Sequence, residues 1–258
     1  MSAITSGSVP PPTPLPAVLV FASSDPACGA GLQADLLTLA ALSCQPLTVV
    51  CGLTVQDSLG VSQILPVPAE FIVAQAQALL ADMPVAAFKV GALMRAENVN
   101  AVADIVAAHP DIPLVVDPVL SSGRGDAFAD DALILALNEK LMPLTTVATP
   151  NSREAMRLAT DAPDHLLITG GHEPGEKIVN HLYAHGERLA TFSWPRLPGD
   201  FHGTGCAFAS ALAAGLAHGQ SIPEAAQAAG DFVWQAALHA RQPGRGQRFL
   251  QHLRGLPL

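Results

Sequence analysis

The sequence predicts an α/β fold of three αβα layers, with a mostly parallel central sheet carrying helices on both faces. Three observations carry this. Short β-branched runs alternate along the chain with longer Ala/Leu stretches. Half of the 258 residues are hydrophobic while only 5% are aromatic, so the apolar mass is Ala, Leu and Val, which suits helices packed closely on a sheet. No polar linker and no repeat of fixed period divides the chain, which reads as one domain over residues 17–258. Ahead of it, residues 1–16 hold Pro10, Pro11, Pro12, Pro14 and Pro16 among small polar residues, an extended or disordered leader too poor in apolar groups to pack.

The elements follow from the same alternation. Strands are expected at 17–22, 47–52, 87–91, 114–117, 146–149 and 166–169, and helices at 31–42, 69–81, 96–108, 130–141, 152–158, 205–217 and 223–240. Two helix ends carry local signals: Pro223 suits a first helical turn and Gly219 a C-terminal stop. In such sheets ligands sit beyond the carboxyl ends of the strands, so the loops there are where chemistry is sought.

Charge and cysteines exclude several classes. The formal net charge is −9, which argues against a nucleic-acid partner, since phosphate neutralisation needs clustered Lys and Arg. No cation precedes Lys89, whereas Asp25, Asp35, Asp57, Glu70 and Asp82 do, which excludes a basic secretory or transit signal. Cys28, Cys44, Cys51 and Cys206 form no CxxC pair and read as reduced cytosolic thiols. No apolar run approaches the roughly 18 residues of a membrane span. A soluble cytoplasmic protein with no membrane partner is expected.

Five loops can carry chemistry. In the 23–31 loop, Gly29-x-Gly31-x-x-Ala34 matches a dinucleotide fingerprint, but Gly29 lies too far past the strand end for a pyrophosphate turn, and a small-ligand loop or a plain Gly-rich turn remains. Gln56, in Thr54-Val55-Gln56-Asp57, can pair in a fork with an aminopyrimidine edge or sit in a solvated loop. Asp117 closes a buried strand, a costly place for an unpaired acid, and the Gly123-Arg124-Gly125 segment after it can bring a guanidinium to a phosphate. Asn151 and Glu154 can face one side at a helix start, as hydrated Mg²⁺ requires or as a capping box does. His202-Gly203-Thr204-Gly205-Cys206 opens a helix whose free N–H groups make an anion site, and the helix dipole is expected to favour a Cys206 thiolate able to accept a hydroxyl proton; a buried Cys in a tight turn is the plainer reading.

Taken in order, S-D-P-x-x-G-A-G-x-Q-A-D, T-V-Q-D, V-D-P-V, T-P-N-x-x-E-A and H-G-T-G-C resemble the hydroxymethylpyrimidine/phosphomethylpyrimidine kinases of thiamine biosynthesis, over about residues 18–240. That resemblance implies a ribokinase-like fold and ATP-dependent phosphorylation of 4-amino-5-hydroxymethyl-2-methylpyrimidine and then of its monophosphate, with Mg²⁺. It implies Cys206 as catalytic base, Gly203, Thr204 and Gly205 as anion hole, and Gln56 as reader of the pyrimidine. It further places Asp25, Ala30 and Asp35 around that pocket, Asp117 and Thr169 on the nucleotide side, where the Arg124 guanidinium read above is also expected, and Asn151 and Glu154 at the metal. A homodimer is suggested. A pyridoxal-type kinase of the same fold and a non-catalytic pyrimidine-binding relative are the alternatives. Three positions depart from the family pattern: Cys28 replaces a usual Gly, Thr169 replaces a lysine before Gly170-Gly171-His172, and the connection at 159–165 is short by roughly twenty residues where relatives have a further helix.

Overall fold

Alternation along β1 (Ala17–Ser24) shows how the layers form. Leu19 and Phe21 point into one core while Val18, Val20 and Ala22 point into the other, and all five are buried. A strand apolar on both faces needs helices on both, which is what a parallel sheet requires. The structure, a computed structural model, describes residues 14–121 and 128–253.

The chain continues through α1 (Gly31–Ala41), β2 (Gln45–Asp57), β3 (Gly60–Pro66), α2 (Ala69–Asp82), β4 (Val85–Val90), α3 (Ala96–Ala107) and β5 (Leu114–Val116). Then come α4 (Asp131–Ala136), β6 (Val147–Ala148), α5 (Ser152–Ala155), β7 (His165–Ile168), β8 (Lys177–Ala184) and β9 (Glu187–Pro195). The last elements are β10 (Phe201–His202), α6 (Thr204–Ala217), α7 (Ile222–Leu238) and β11 (Arg248–Phe249). One nine-stranded sheet runs β3-β2-β1-β4-β5-β6-β7-β8-β9. From β2 to β7 the pairing is parallel, while β3, β8 and β9 join antiparallel at the edges. Helices α2, α3 and α4 cover one face and α1, α6 and α7 the other.

The six expected strands are all present, in a mostly parallel sheet. Five strands have no counterpart among these: β3, β8 and β9 of the large sheet, and the short pair β10 and β11. The β8–β9 hairpin turns at His185 and Gly186, both at positive φ (50° and 81°), the pattern of a tight two-residue turn. The helix expected at 130–141 is α-helical only to Ala136 and continues as a π-turn over Leu137–Leu141. The helix expected at 152–158 ends at Ala155. Gly219 does adopt a left-handed φ of 81° behind α6, and Pro223 lies in the first turn of α7. No helix among the described residues is long and apolar enough to cross a membrane.

Candidate active site

The carboxyl ends of β1, β4, β5, β6 and β7 open into one cleft of about 970 Å³. Cys206 and the 203–205 backbone, Gln56, Ala30, Asp117, Thr169, and the Asn151/Glu154 pair all line it. Arg124 lies outside the described residues.

Asp25 organises the wall at the end of β1. It is 1% exposed, and its carboxylate accepts from the N–H groups of Ala27 (2.8 Å), Gly29 (3.0 Å) and Ala30 (2.8 Å). His202 Nε2 lies 2.9 Å from the same carboxylate, tying the 23–31 loop to the residue before Gly203. Burial raises the Asp25 pKa, but His202 and the backbone donors outweigh it and hold the carboxyl below its ordinary value. Asp25 therefore shapes the pocket from beneath, with its oxygens already engaged. Cys28 has φ 61°, so a residue with a side chain adopts the left-handed conformation that glycine takes most readily.

Gly203 is required where it stands. Its φ is 80°, and a methyl group there would collide with the Gly29 carbonyl oxygen. The two glycine loops thus lie against each other, leaving the first N–H groups of α6 facing the cleft as an anion cradle. Behind that start, Phe208 and Leu212 are buried against the sheet, which anchors the helix.

Asp35 is moved from the pocket wall to beneath it. It is fully buried and accepts from Lys89 Nζ at 2.9 Å and from Ser210 Oγ at 2.8 Å. Lys89, the first cation of the chain, lines the cleft floor. Burial alone would lower its pKa, but Asp35, Cys206 and Asp117 reverse this and hold the ammonium charged. The Lys- and Arg-free first third of the chain is therefore closed by a cation inside the site.

Cys206 departs from expectation in its ionisation. Burial pushes its thiol up, Lys89 opposes this, Asp117 and Asp35 add to it, and the Gly31 backbone hydrogen bond lowers it. Desolvation and the two carboxylates outweigh Lys89 and the Gly31 hydrogen bond, so the thiol form is favoured over the thiolate.

Asp117 Oδ2 is buried without a hydrogen-bond partner. Burial pushes Asp117 up to about 6, and burial followed by the charge of Asp117 pushes Glu154 up to about 7. Asn151 and Glu154 form the capping box: Asn151 Oδ1 accepts from Arg153 and Glu154 N–H at 3.0 Å, and Glu154 Oε2 accepts from Asn151 N–H at 3.0 Å. The pair forms the capping box and also lines the cleft, with the Asn151 oxygen committed to the helix and Glu154 accepting in addition from Leu120 N–H at 3.4 Å through Oε1. Two buried carboxylates with an orphaned oxygen fit a hard divalent cation that keeps waters and takes few protein ligands. Thr169 bridges Asn151 and donates its N–H to the Pro150 carbonyl at 2.9 Å, so its backbone takes part in the site although the lysine charge is gone.

An anion cradle at a helix start, beside buried carboxylates and a buried lysine, on the carboxyl edge of a parallel sheet, defines a phosphotransferase site. The profile of the family described as phosphomethylpyrimidine kinase matches residues 25–165 and 157–251, two segments that meet at the short connection. The hydroxymethylpyrimidine/phosphomethylpyrimidine kinase of Streptomyces coelicolor is 40% identical over 243 residues, 87% of this chain and 89% of that protein. The chain belongs to the phosphomethylpyrimidine kinase family. The structure of pyridoxal kinase from Staphylococcus aureus in complex with ADP matches at a TM-score of 0.84 and 26% identity, over 93% of this chain and 94% of that one. Phosphomethylpyrimidine kinase from Clostridium difficile matches at 0.73 and 26% identity, over 86% and 99%. The fold is the ribokinase-like one expected, and the kinase function read from the motifs is the one these relatives carry.

Sequence reasoning missed Lys89, His202 and the C-terminal strap at 242–248, whose Gln242, Arg245 and Gln247 also line the cleft. His202 lay inside a quoted motif, four residues from Cys206, and that was the available signal. Lys89 gave another: a lysine inside an apolar strand needs a buried acid.

Proposed function

We propose that this enzyme transfers the γ-phosphoryl group of ATP to the hydroxymethyl oxygen of 4-amino-5-hydroxymethyl-2-methylpyrimidine, and then a second to the resulting monophosphate. The observation that carries this is that Gln56 and Cys206 open into the same cleft, one placed to read a heterocycle edge and the other to meet its hydroxyl. Gln56 pairs with the aminopyrimidine, and Ala30 and its neighbours wall the ring. Gly203, Thr204 and Gly205 present backbone N–H groups to the phosphoryl group in transfer. Asp117 and Glu154, beside Asn151, would hold Mg²⁺, which would supply positive charge to offset that of the phosphates. Thr169 lines the nucleotide side, and Arg124 is assigned there from sequence alone.

Neutralising Asp117 removes one of the two anions that raise the Cys206 pKa. Burial and Asp35 still raise it, while Lys89 and the Gly31 hydrogen bond favour the thiolate, and Cys206 takes the hydroxyl proton as the bond to phosphorus forms. Catalysis is mostly positioning and charge stabilisation.

A pyridoxal-type kinase is the second reading, favoured by one observation: the fold match is better to the Staphylococcus aureus pyridoxal kinase than to the Clostridium difficile enzyme. Steady-state kcat/KM for both substrates with Mg-ATP tests the choice. A preference for the pyrimidine is expected, and a clear preference for pyridoxal overturns it. Four free thiols and the need for ATP support a cytoplasmic enzyme. A homodimer is supported by an apolar row on the β2–β3 edge: Leu53 pairs with Leu65 across the strands, and both are exposed. Light scattering of wild type and Leu65→Asp tests it, with a dimer and a monomer expected; a monomeric wild type overturns it.

A further inference from the structure

Among the described residues, the cations lining the cleft are Lys89, Arg196, Arg245 and Arg248. Lys89 is tied to Asp35 at 2.9 Å. Arg196 donates to the carbonyl oxygens of Gly175 (2.8 Å), Gly171 (3.0 Å) and Glu173 (2.6 Å), and Arg248 to that of Pro198 at 3.2 Å. Arg245 is exposed and has no hydrogen-bond or ion-pair partner among the described residues. It is the cation of this wall with its guanidinium uncommitted.

Its backbone, by contrast, is held against the β2–β3 hairpin on its C-terminal side. Gly244 and Gly246 flank it and press on Ser58, where a methyl on Gly246 would collide with the Ser58 carbonyl oxygen. Gly246 N–H donates to Ser58 Oγ at 3.1 Å, and Gln247 N–H donates to the Ser58 carbonyl at 3.1 Å. Ser58 stands two residues after Gln56, at the tip of the β2–β3 hairpin. Beyond Arg245 the strap becomes β11, which pairs with Phe201 and His202 immediately before Gly203. The strap therefore runs from the hairpin that carries Gln56 to the anion cradle, and Arg245 sits along it.

We propose that Arg245 recognises the phosphate of the phosphorylated pyrimidine and so sets how well the second transfer competes with the first. This rests on the pyrimidine-kinase reading above. The two transfers make different demands. In the first, the hydroxymethyl oxygen bonds to the γ-phosphorus as the bond to the ADP oxygen breaks, and the hydroxyl proton leaves to Cys206. In the second, an already anionic phosphate oxygen forms the same bond with release of ADP, and no proton has to leave. The second acceptor instead brings negative charge into a site holding Asp117 and Glu154, so it needs a cation where the first needs a base.

The test is kcat/KM for the pyrimidine alcohol and for its monophosphate, measured for wild type, Arg245→Ala, Arg245→Lys and Cys206→Ala, with circular dichroism to check folding. In Arg245→Ala the ratio of monophosphate to alcohol is expected to fall about tenfold, with partial recovery in Arg245→Lys. In Cys206→Ala the same ratio rises, because the alcohol loses its base. A ratio within about twofold of wild type in Arg245→Ala overturns the inference while leaving the kinase reading intact. A wild type that uses the alcohol and not the monophosphate also overturns it. A wild type that phosphorylates neither removes the kinase reading itself.

Discussion

Lys89 Nζ stands 2.9 Å from both carboxylate oxygens of Asp35, and neither side chain is exposed to solvent. Ser210, one turn after Cys206 on α6, donates to the same carboxylate at 2.8 Å. The pair thus joins α1, β4 and α6 directly under the cleft floor. Burying two charges is expensive and is repaid only when both partners are present.

Removing one partner is accordingly severe. Lys89→Met leaves Asp35 buried with Ser210 alone, and a loss of about 3–5 kcal/mol in urea unfolding is expected. The double variant Lys89→Met/Asp35→Leu should recover much of that loss in stability and none in turnover, because Lys89 also faces Cys206 and Asp117. A double variant no more stable than the single one would show that the ion pair is not the source of the loss.

Asp25 sets a pH dependence. Its folded pKa lies below the ordinary 3.8, so its contribution is full above that value and is lost as the pH falls through the folded value. At neutral pH, Asp25→Asn should destabilise by about 1–3 kcal/mol, since it weakens several hydrogen bonds to a buried carboxylate. Melting curves of wild type and Asp25→Asn should converge as the pH falls below about 4. A gap that stays constant across the acid range would contradict this.

Gly203 predicts a loss with the chemistry intact. Gly203→Ala keeps Cys206 and both carboxylates yet strains a φ of 80° and pushes against the Gly29 carbonyl. Strain alone is worth about 1–2 kcal/mol. The larger effect is displacement of the cradle, so kcat should fall well beyond what the change in melting temperature accounts for. Equal turnover in wild type and variant would remove the cradle from the mechanism.

The parallel core was legible because buried strands between Ala/Leu helices leave a strong local pattern. The edges were not. Strands β8 and β9, at the antiparallel end of the sheet, carry Lys177, His181, Glu187 and Arg188 among their apolar residues, as half-exposed strands do, and the pattern weakens there. At the site, loop residues in quoted motifs landed on one cleft, since motifs record chemistry that must converge. Asp35 was drawn into the pocket for the same reason, whereas its partner Lys89, 54 residues away, holds it underneath. Ionisation was the least legible of all. The helix start at Cys206 suggested a thiolate, but burial and the charges of Asp117 and Asp35 come from distant parts of the chain and reverse the sign.

The central claim is that Cys206 takes the proton of the pyrimidine hydroxyl during phosphoryl transfer. Its most direct test is ATP-dependent phosphorylation of the hydroxymethylpyrimidine by Cys206→Ala, with pyrimidine binding measured separately by calorimetry. The account predicts a kcat lower by about 10²–10⁴-fold with the dissociation constant nearly unchanged. Turnover close to wild type would contradict it.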